Sequence, residues 1–398
     1  MHVVIVWYEG DFREAFHRLM DGGQETYHDE RYLINVVIGL MQIADRVTFL
    51  CCNTSVVYDE MLQPRLRSIG AGIEPFSQCG DMIKLLSTLN PTRLVLSFPS
   101  PRLFNWAAKH RIRTLAALAD SFCSSRLRDR FRYFRLRQAL NHPNTEWIGN
   151  HGINACRSLE GLGVNSEKLI SWDMKHSTTP AMFSIKTLPN RSSWKLFYAG
   201  IICEEKGVPE ILHAIAQLRQ RHHKVELQLA GRGKVEQFQA LARQLGVSQF
   251  VEFLGHIANS QVLDYMRQAD AVLVPSRYDY SEGLPFTIYE ALCARTPIVA
   301  SDHPMFVGNL QHDISAMLFP AEDAIAFADQ IEQLLTHPDR YERISRNSLE
   351  TWERLQSPVK WEDLVRRWLS DTPADQRWLF EHRLVALHQK APTDPVST

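Results

Sequence analysis

The chain has 398 residues, 45% of them hydrophobic and 22% charged, with a formal net charge of −1. This is enough chain for two domains of ordinary size; the composition excludes a disordered protein, and so small a charge gives no overall pull toward nucleic acid. Seven cysteines, at 51, 52, 79, 123, 156, 203 and 293, show neither C-x-x-C nor zinc spacing, so they read as reduced thiols with no disulfide framework and no metal site.

From the N-terminus, short apolar runs alternate with longer amphipathic ones. Strands are predicted near 2–8, 46–52, 93–98, 112–118, 145–149 and 168–172, with helices between most of them, the pattern of a doubly wound parallel sheet. The apolar run 3–7 is cut short by Glu9 and Asp11, and no run of about 18 apolar residues occurs, so no membrane span and a cytoplasmic location are expected. The first strand is expected to feed a long loop holding Gly22 and Gly23, with a helix from about His28. Glycines at this point either make a turn or let backbone approach a ligand at the carboxyl edge of the sheet. Asp120 follows the fourth predicted strand at the same edge, as a helix N-cap or as a group able to contact a hydroxyl.

Residues 125–137 read as a basic amphipathic helix. Leu127, Phe131 and Phe134 recur at i, i+4 and i+7 on one face, with arginines around the rest. The stripe suits packing on the sheet, and the arginines, Arg128, Arg132 and Arg135 among them, suit an anionic membrane surface. Residues 174–194 lose periodicity and gather Ser, Thr and Pro, as a linker does. A second alternating region follows, with strands near 195–200, 225–230, 250–255 and 271–274, and the chain closes with helices near 323–336, 338–350, 358–369 and 374–389.

The stretch after 271–274 is the most informative. Glu282-Gly283-Leu284-Pro285 reads as a helix start, with an acidic residue at the opening and proline in the first turn, where its missing N–H costs nothing. Glu290 lies eight positions on, which at about 100° per residue puts a second carboxylate two turns deeper on a neighbouring face. A helix N-terminus suits phosphate and carboxylates accept from hydroxyls, so the pair suggests a sugar nucleotide; an ordinary solvated helix end is the alternative.

The run from Glu282 through Glu290 to Asp302 resembles the signature of family 4 retaining glycosyltransferases, over residues 195–350 and more weakly toward the N-terminus. The resemblance implies the GT-B fold: α/β, two doubly wound Rossmann-like domains facing across a cleft. Domains are expected at 1–174 (acceptor side) and 195–357 (nucleotide sugar), joined by a linker at 175–194, with 358–398 crossing back to the first.

By the same resemblance Lys206 contacts the diphosphate, Glu290 holds the ribose hydroxyls and Glu282 approaches the donor sugar. Backbone around Gly283, Leu284, Phe286 and Thr287 meets phosphate or sugar, and Gly22 and Gly23 face the cleft. The family often has an arginine five positions before the lysine; here that residue is Ile201, with Arg232 a substitute. Ala119 stands in the place of a family histidine, leaving Asp120 beside Glu282 and Lys206 as the catalytic candidates.

The implied chemistry is metal-free transfer from a nucleotide sugar, a UDP-sugar first and GDP- or ADP-sugars as alternatives, with no further cofactor. The implied acceptor is a glycan or lipid-linked sugar in polysaccharide or glycolipid synthesis; the basic helix at 125–137 adds a peripheral place on the inner face of the plasma membrane as an alternative to a purely cytoplasmic one. A nucleotide-sugar epimerase or phosphorylase of the same fold and a non-catalytic sugar-nucleotide binder are the other readings.

Overall fold

The computed structural model describes residues 1–26, 29–122 and 127–386. It divides into two units, one of Met1–Gly23, Asp29–Lys175 and Ser357–Thr398, the other of Gln24–His28 and His176–Gln356.

The first unit holds eight strands: β1 (His2–Glu9), β2 (Arg46–Asn53), β3 (Tyr58–Gln63), β4 (Leu66–Gly70), β5 (Arg93–Leu96), β6 (Arg113–Leu118), β7 (Thr145–His151) and β8 (Leu169–Trp172). Their order is β3-β4-β2-β1-β5-β6-β7-β8. Val3 to Val6 are buried throughout because helices cover both faces of a parallel sheet. The hairpin β3–β4 was not expected: β3 runs antiparallel to β4 at the edge, and its Tyr-Asp-Glu-Met-Leu-Gln has no apolar run to announce it.

Three expectations for this unit are corrected. A helix, Phe12–Met20, stands where a loop was expected, started by Asp11, whose carboxylate accepts from the Glu14 N–H. The closing helix is Pro373–Glu381, not 374–389, the last three of those residues lying outside the described ones. The third concerns the arginine-rich helix Leu127–Asn141, which buries Tyr133, Leu136, Ala139 and Leu140 and leaves Phe131 and Phe134 outside, 66% and 47% exposed. The stripe at 127, 131 and 134 ends there, whereas the buried one continues to the end of the helix and packs with Phe122 and Val164. The segment after Ser357 belongs to this unit: Ser357 Oγ donates to the Ser171 carbonyl (2.7 Å) and the Trp361 N–H to that of Asp173 (2.9 Å).

The second unit holds β9 (Trp194–Ala199), β10 (Val225–Ala230), β11 (Val251–Gly255), β12 (Ala271–Val274), β13 (Ile298–Ser301) and β14 (Met317–Phe319). All pairs are parallel, in the order β11-β10-β9-β12-β13-β14, so the winding reverses between β9 and β12. In such sheets ligands bind beyond the carboxyl ends of the strands at that reversal. Residues 176–193 pack here and are not a free tether. The Lys186 ammonium donates to the Arg267 carbonyl (2.9 Å) and to that of Ala269, and His176 stacks on Tyr289 at 4.4 Å. Among the described residues no helix is long and apolar enough to cross a membrane.

Candidate functional site

Loops from β9, β10 and β12 meet at the reversal through bare backbone. A Cβ at Gly231, φ +147°, would stand 1.8 Å from the Gly200 carbonyl oxygen, and one at Gly207, φ +75°, would stand 2.1 Å from that of Pro275. Only glycine permits both the conformation and the approach. The Arg277 N–H donates to the Glu205 carbonyl (2.9 Å), and its guanidinium grips buried Glu210 (2.6 Å) and Glu204 (3.0 Å). Lys206 is thereby held beside the loop that carries Glu282.

The two meet directly. Lys206 Nζ lies 2.5 Å from Glu282 Oε1 and 4.5 Å from the Tyr280 ring centroid, and Ser276 Oγ donates to the same oxygen at 2.6 Å. Glu282 is buried, so an ion pair and a hydroxyl compensate a charge that would otherwise be costly there. Fully buried His303 completes the support: its Nε2 donates to the Tyr280 carbonyl (3.1 Å) and its Nδ1 accepts from the Met305 N–H (3.2 Å), fixing the neutral tautomer. Burial holds this imidazole below its usual pKa, with the Glu282 charge opposing the shift. Ser276 and His303 had a usable signal, since each is among the first polar residues after a buried apolar strand, at the edge where ligands bind.

The expected helix start is corrected. The helix is Phe286–Cys293 with Pro285 as its N-cap, in extended conformation (φ −63°, ψ 137°). Proline disfavours helical geometry at the residue before it, so Leu284 cannot begin a helix. Glu282 therefore sits in the loop, and Glu290 is one turn inside the helix, not two turns from a carboxylate on the same helix. Pro285, as the N-cap, offers no capping side chain. Such an N-terminus keeps the polarity that favours an anion.

A pocket of about 290 Å³ opens beside this helix, lined by Ile201, Arg232, Ile257, Phe286, Thr287 and Glu290 among others. Thr287 Oγ1 donates to the Ala199 carbonyl (3.1 Å), tying the helix start to the end of β9. The structure thus gathers Arg232, Phe286, Thr287 and Glu290 at one pocket and joins Lys206 to Glu282 in a pair next along the same loops. Gly283 is half-buried, and the buried side chain of Leu284 serves packing.

The remaining candidates belong to the first unit. Gly22 and Gly23 close the helix Phe12–Met20: the Gly23 N–H donates to the Arg18 carbonyl (2.8 Å) and the Gly22 N–H to that of Leu19 (3.3 Å), with Gly22 at φ +82°. This helix-ending motif accounts for both glycines without a ligand. Asp120 caps no helix: residues 121 and 122 are not helical, and the Phe122 N–H donates to Ser158 Oγ (3.2 Å). Burial pushes the Asp120 carboxyl up to about 6, with Arg132 pulling the other way. Arg132 and Arg135 are exposed; Ser125, Arg126 and the side chain of Arg128 lie outside the described residues.

Residues 183–351 match the family described as Glycosyl transferases group 1. The chain is 28% identical over 182 residues to a glycogen synthase of Mycobacterium tuberculosis, an alignment covering 44% of this chain and 42% of that one. It is 33% identical over 138 residues to a phosphatidyl-myo-inositol mannosyltransferase of Mycobacterium leprae, covering 35% and 36%. The chain thus spans less than half the length of these curated relatives. Among solved structures it is similar to a sucrose-phosphate synthase from Thermosynechococcus elongatus, with a TM-score of 0.69 at 16% identity over 94% of this chain and 100% of that one. Anabaena HepE in complex with UDP gives a TM-score of 0.62 at 14% identity, over 95% and 100%. At these identities the likeness is one of fold, the GT-B fold of two Rossmann-like domains.

Proposed function

We propose that this chain, whose residues 183–351 match the group 1 glycosyl transferases, moves a sugar from a nucleotide-sugar donor to an acceptor hydroxyl with retention of anomeric configuration. The observation that carries this reading is the helix Phe286–Cys293, which starts after Pro285 and opens on a pocket lined by Thr287 and Glu290, at the topological reversal of the second sheet. The amides of its first turn and the Lys206 ammonium bind the donor diphosphate, and Glu290 accepts from the ribose hydroxyls. The donor sugar lies by Glu282, and backbone at Gly283 and Leu284 lines its path.

Charge builds on the departing diphosphate as the glycosidic bond breaks, and a cation fixed beside it stabilises that state more than the ground state. Lys206 fills this role once the donor draws it from Glu282. Arg232, on the pocket rim, adds a second cation where Ile201 supplies none. Asp120 on the first unit orients the acceptor, and the acceptor is a glycan or lipid-linked sugar. The donor is a UDP-sugar in the first instance. A reducing cytoplasm suits the six cysteines among the described residues, none in a disulfide and five of them buried.

Ile201 in the place of an arginine favours one other reading, a protein that binds the donor without turning it over. Calorimetry with UDP, GDP and ADP and their sugars, followed by donor hydrolysis in excess EDTA with NMR of the released anomer, separates the two. Binding of a nucleotide sugar with metal-independent, configuration-retaining hydrolysis is expected. Binding with no turnover selects the non-catalytic reading, and failure to bind any nucleotide removes both.

A further inference from the structure

The helix Leu127–Asn141 carries apolar residues on two faces. Its inner stripe of Tyr133, Leu136, Ala139 and Leu140 is buried in the core of the first unit. Phe131 and Phe134 lie on the opposite side, about 180° around at 100° per residue, and are 66% and 47% exposed. Exposed Arg130 and Arg135 flank them, the Arg135 guanidinium lying 5.8 Å from the Phe131 ring centroid and that of Arg137 lying 5.1 Å from that of Phe134. Six arginines and one aspartate fall within residues 126–137 of a chain whose net charge is −1. The positive charge is therefore local, and the guanidinium groups of Arg135 and Arg137 lie beside two rings that serve no packing role inside.

Outward aromatics ringed by guanidinium groups have the chemistry of a helix lying in a lipid interface, with rings at headgroup depth and guanidinium groups on phosphates. We propose that this outer face docks the protein reversibly on an anionic phospholipid bilayer, with Arg130 and Arg135 on lipid phosphates and Phe131 and Phe134 entering the headgroup boundary. The docking stands apart from the transfer reaction, because the helix belongs to the first unit and none of these four residues belongs to the donor site.

The test is co-sedimentation with phosphatidylglycerol-rich and pure phosphatidylcholine vesicles at low and physiological salt, with polyglutamate as a non-lipid polyanion. Preference for the anionic vesicles, weakened by salt, is expected. Arg130→Gln with Arg135→Gln lowers partitioning by about 25-fold, roughly fivefold per arginine. Phe131→Ser with Phe134→Ser lowers it by about tenfold or more at both salt concentrations, which a purely electrostatic contact does not produce. Both variants keep the wild-type Tm, the substituted side chains being at the surface. No preference for anionic over neutral vesicles at low salt, unchanged partitioning of both variants, or equal affinity for polyglutamate overturns the proposal.

Discussion

The Lys206 ammonium and the Glu282 carboxylate close on each other at 2.5 Å, two groups from different loops that each have a part in the proposed chemistry. Both side chains are largely buried, 15% and 6% exposed, so neither is satisfied by water if the other leaves. The pair is thus neutralised internally, and in the proposed reaction the donor diphosphate would compete with Glu282 for the lysine.

Removing one partner should therefore cost more than removing both. Lys206→Ala and Glu282→Ala are each expected to destabilise the fold by about 3–5 kcal/mol, and the double variant by clearly less than their sum. Urea denaturation of the four proteins gives the coupling. Additive, small effects would mean that the pair is not closed in solution.

Glu290→Ala should weaken UDP binding by about 10- to 100-fold, since charge-assisted hydrogen bonds are worth roughly 1.5–3 kcal/mol each. Glu282→Ala, by contrast, should lower affinity for a UDP-sugar more than affinity for UDP. Equal UDP affinity in wild type and the Glu290 variant by calorimetry would remove Glu290 from the ribose end of the site.

Gly231→Ala should cost about 3 kcal/mol or more, because its methyl group has nowhere to go beside the Gly200 carbonyl and φ is +147°. Gly246 is the control. Its φ is +69°, with nothing within 4 Å of an added Cβ, so Gly246→Ala should cost only about 1 kcal/mol. A comparable drop in Tm for the two variants would contradict the close backbone approach.

Asp120 gives a pH prediction. Its carboxyl titrates at about 6 in the folded protein against 3.8 ordinarily. Between those values the folded state keeps a proton that the unfolded state releases, so stability falls as pH rises through that window, by on the order of 2 kcal/mol. Asp120→Asn removes the titration. Its Tm advantage over wild type should be absent near pH 4 and present at pH 7.5; parallel Tm curves would show that Asp120 ionises freely.

What the sequence disclosed and what it hid follow from how far each feature depends on near neighbours. Buried parallel strands such as Ala271–Val274 are apolar on both faces, so composition alone marks them. Edge strand β3 is polar, half-solvated and defined by its partner, so nothing local marks it. The proline at 285 was a sign of a helix start, and the start was misplaced only because proline acts on the residue before it as well as on itself. Choosing between two apolar stripes on the helix Leu127–Asn141 needed the packing of Phe122 and Val164, which no periodicity contains. The Lys206–Glu282 pair spans 76 positions and rests on the close passage of Gly207 beside Pro275. Each residue was a candidate on its own; their contact was not visible.

The bare backbone where β9 and β10 end also limits how the pocket can change its preference. A side chain at Gly231, which lines the pocket, or at Gly233 close by would run into the carbonyl of Gly200 or Ile202, so neither position offers selection anything to vary. In the proposed reading, discrimination among donors falls to side chains that line the pocket, Ile201, Arg232 and Ile257 among them. A library randomised at all five positions and selected for a new donor should return glycine at 231 and 233 and spend its diversity on the other three.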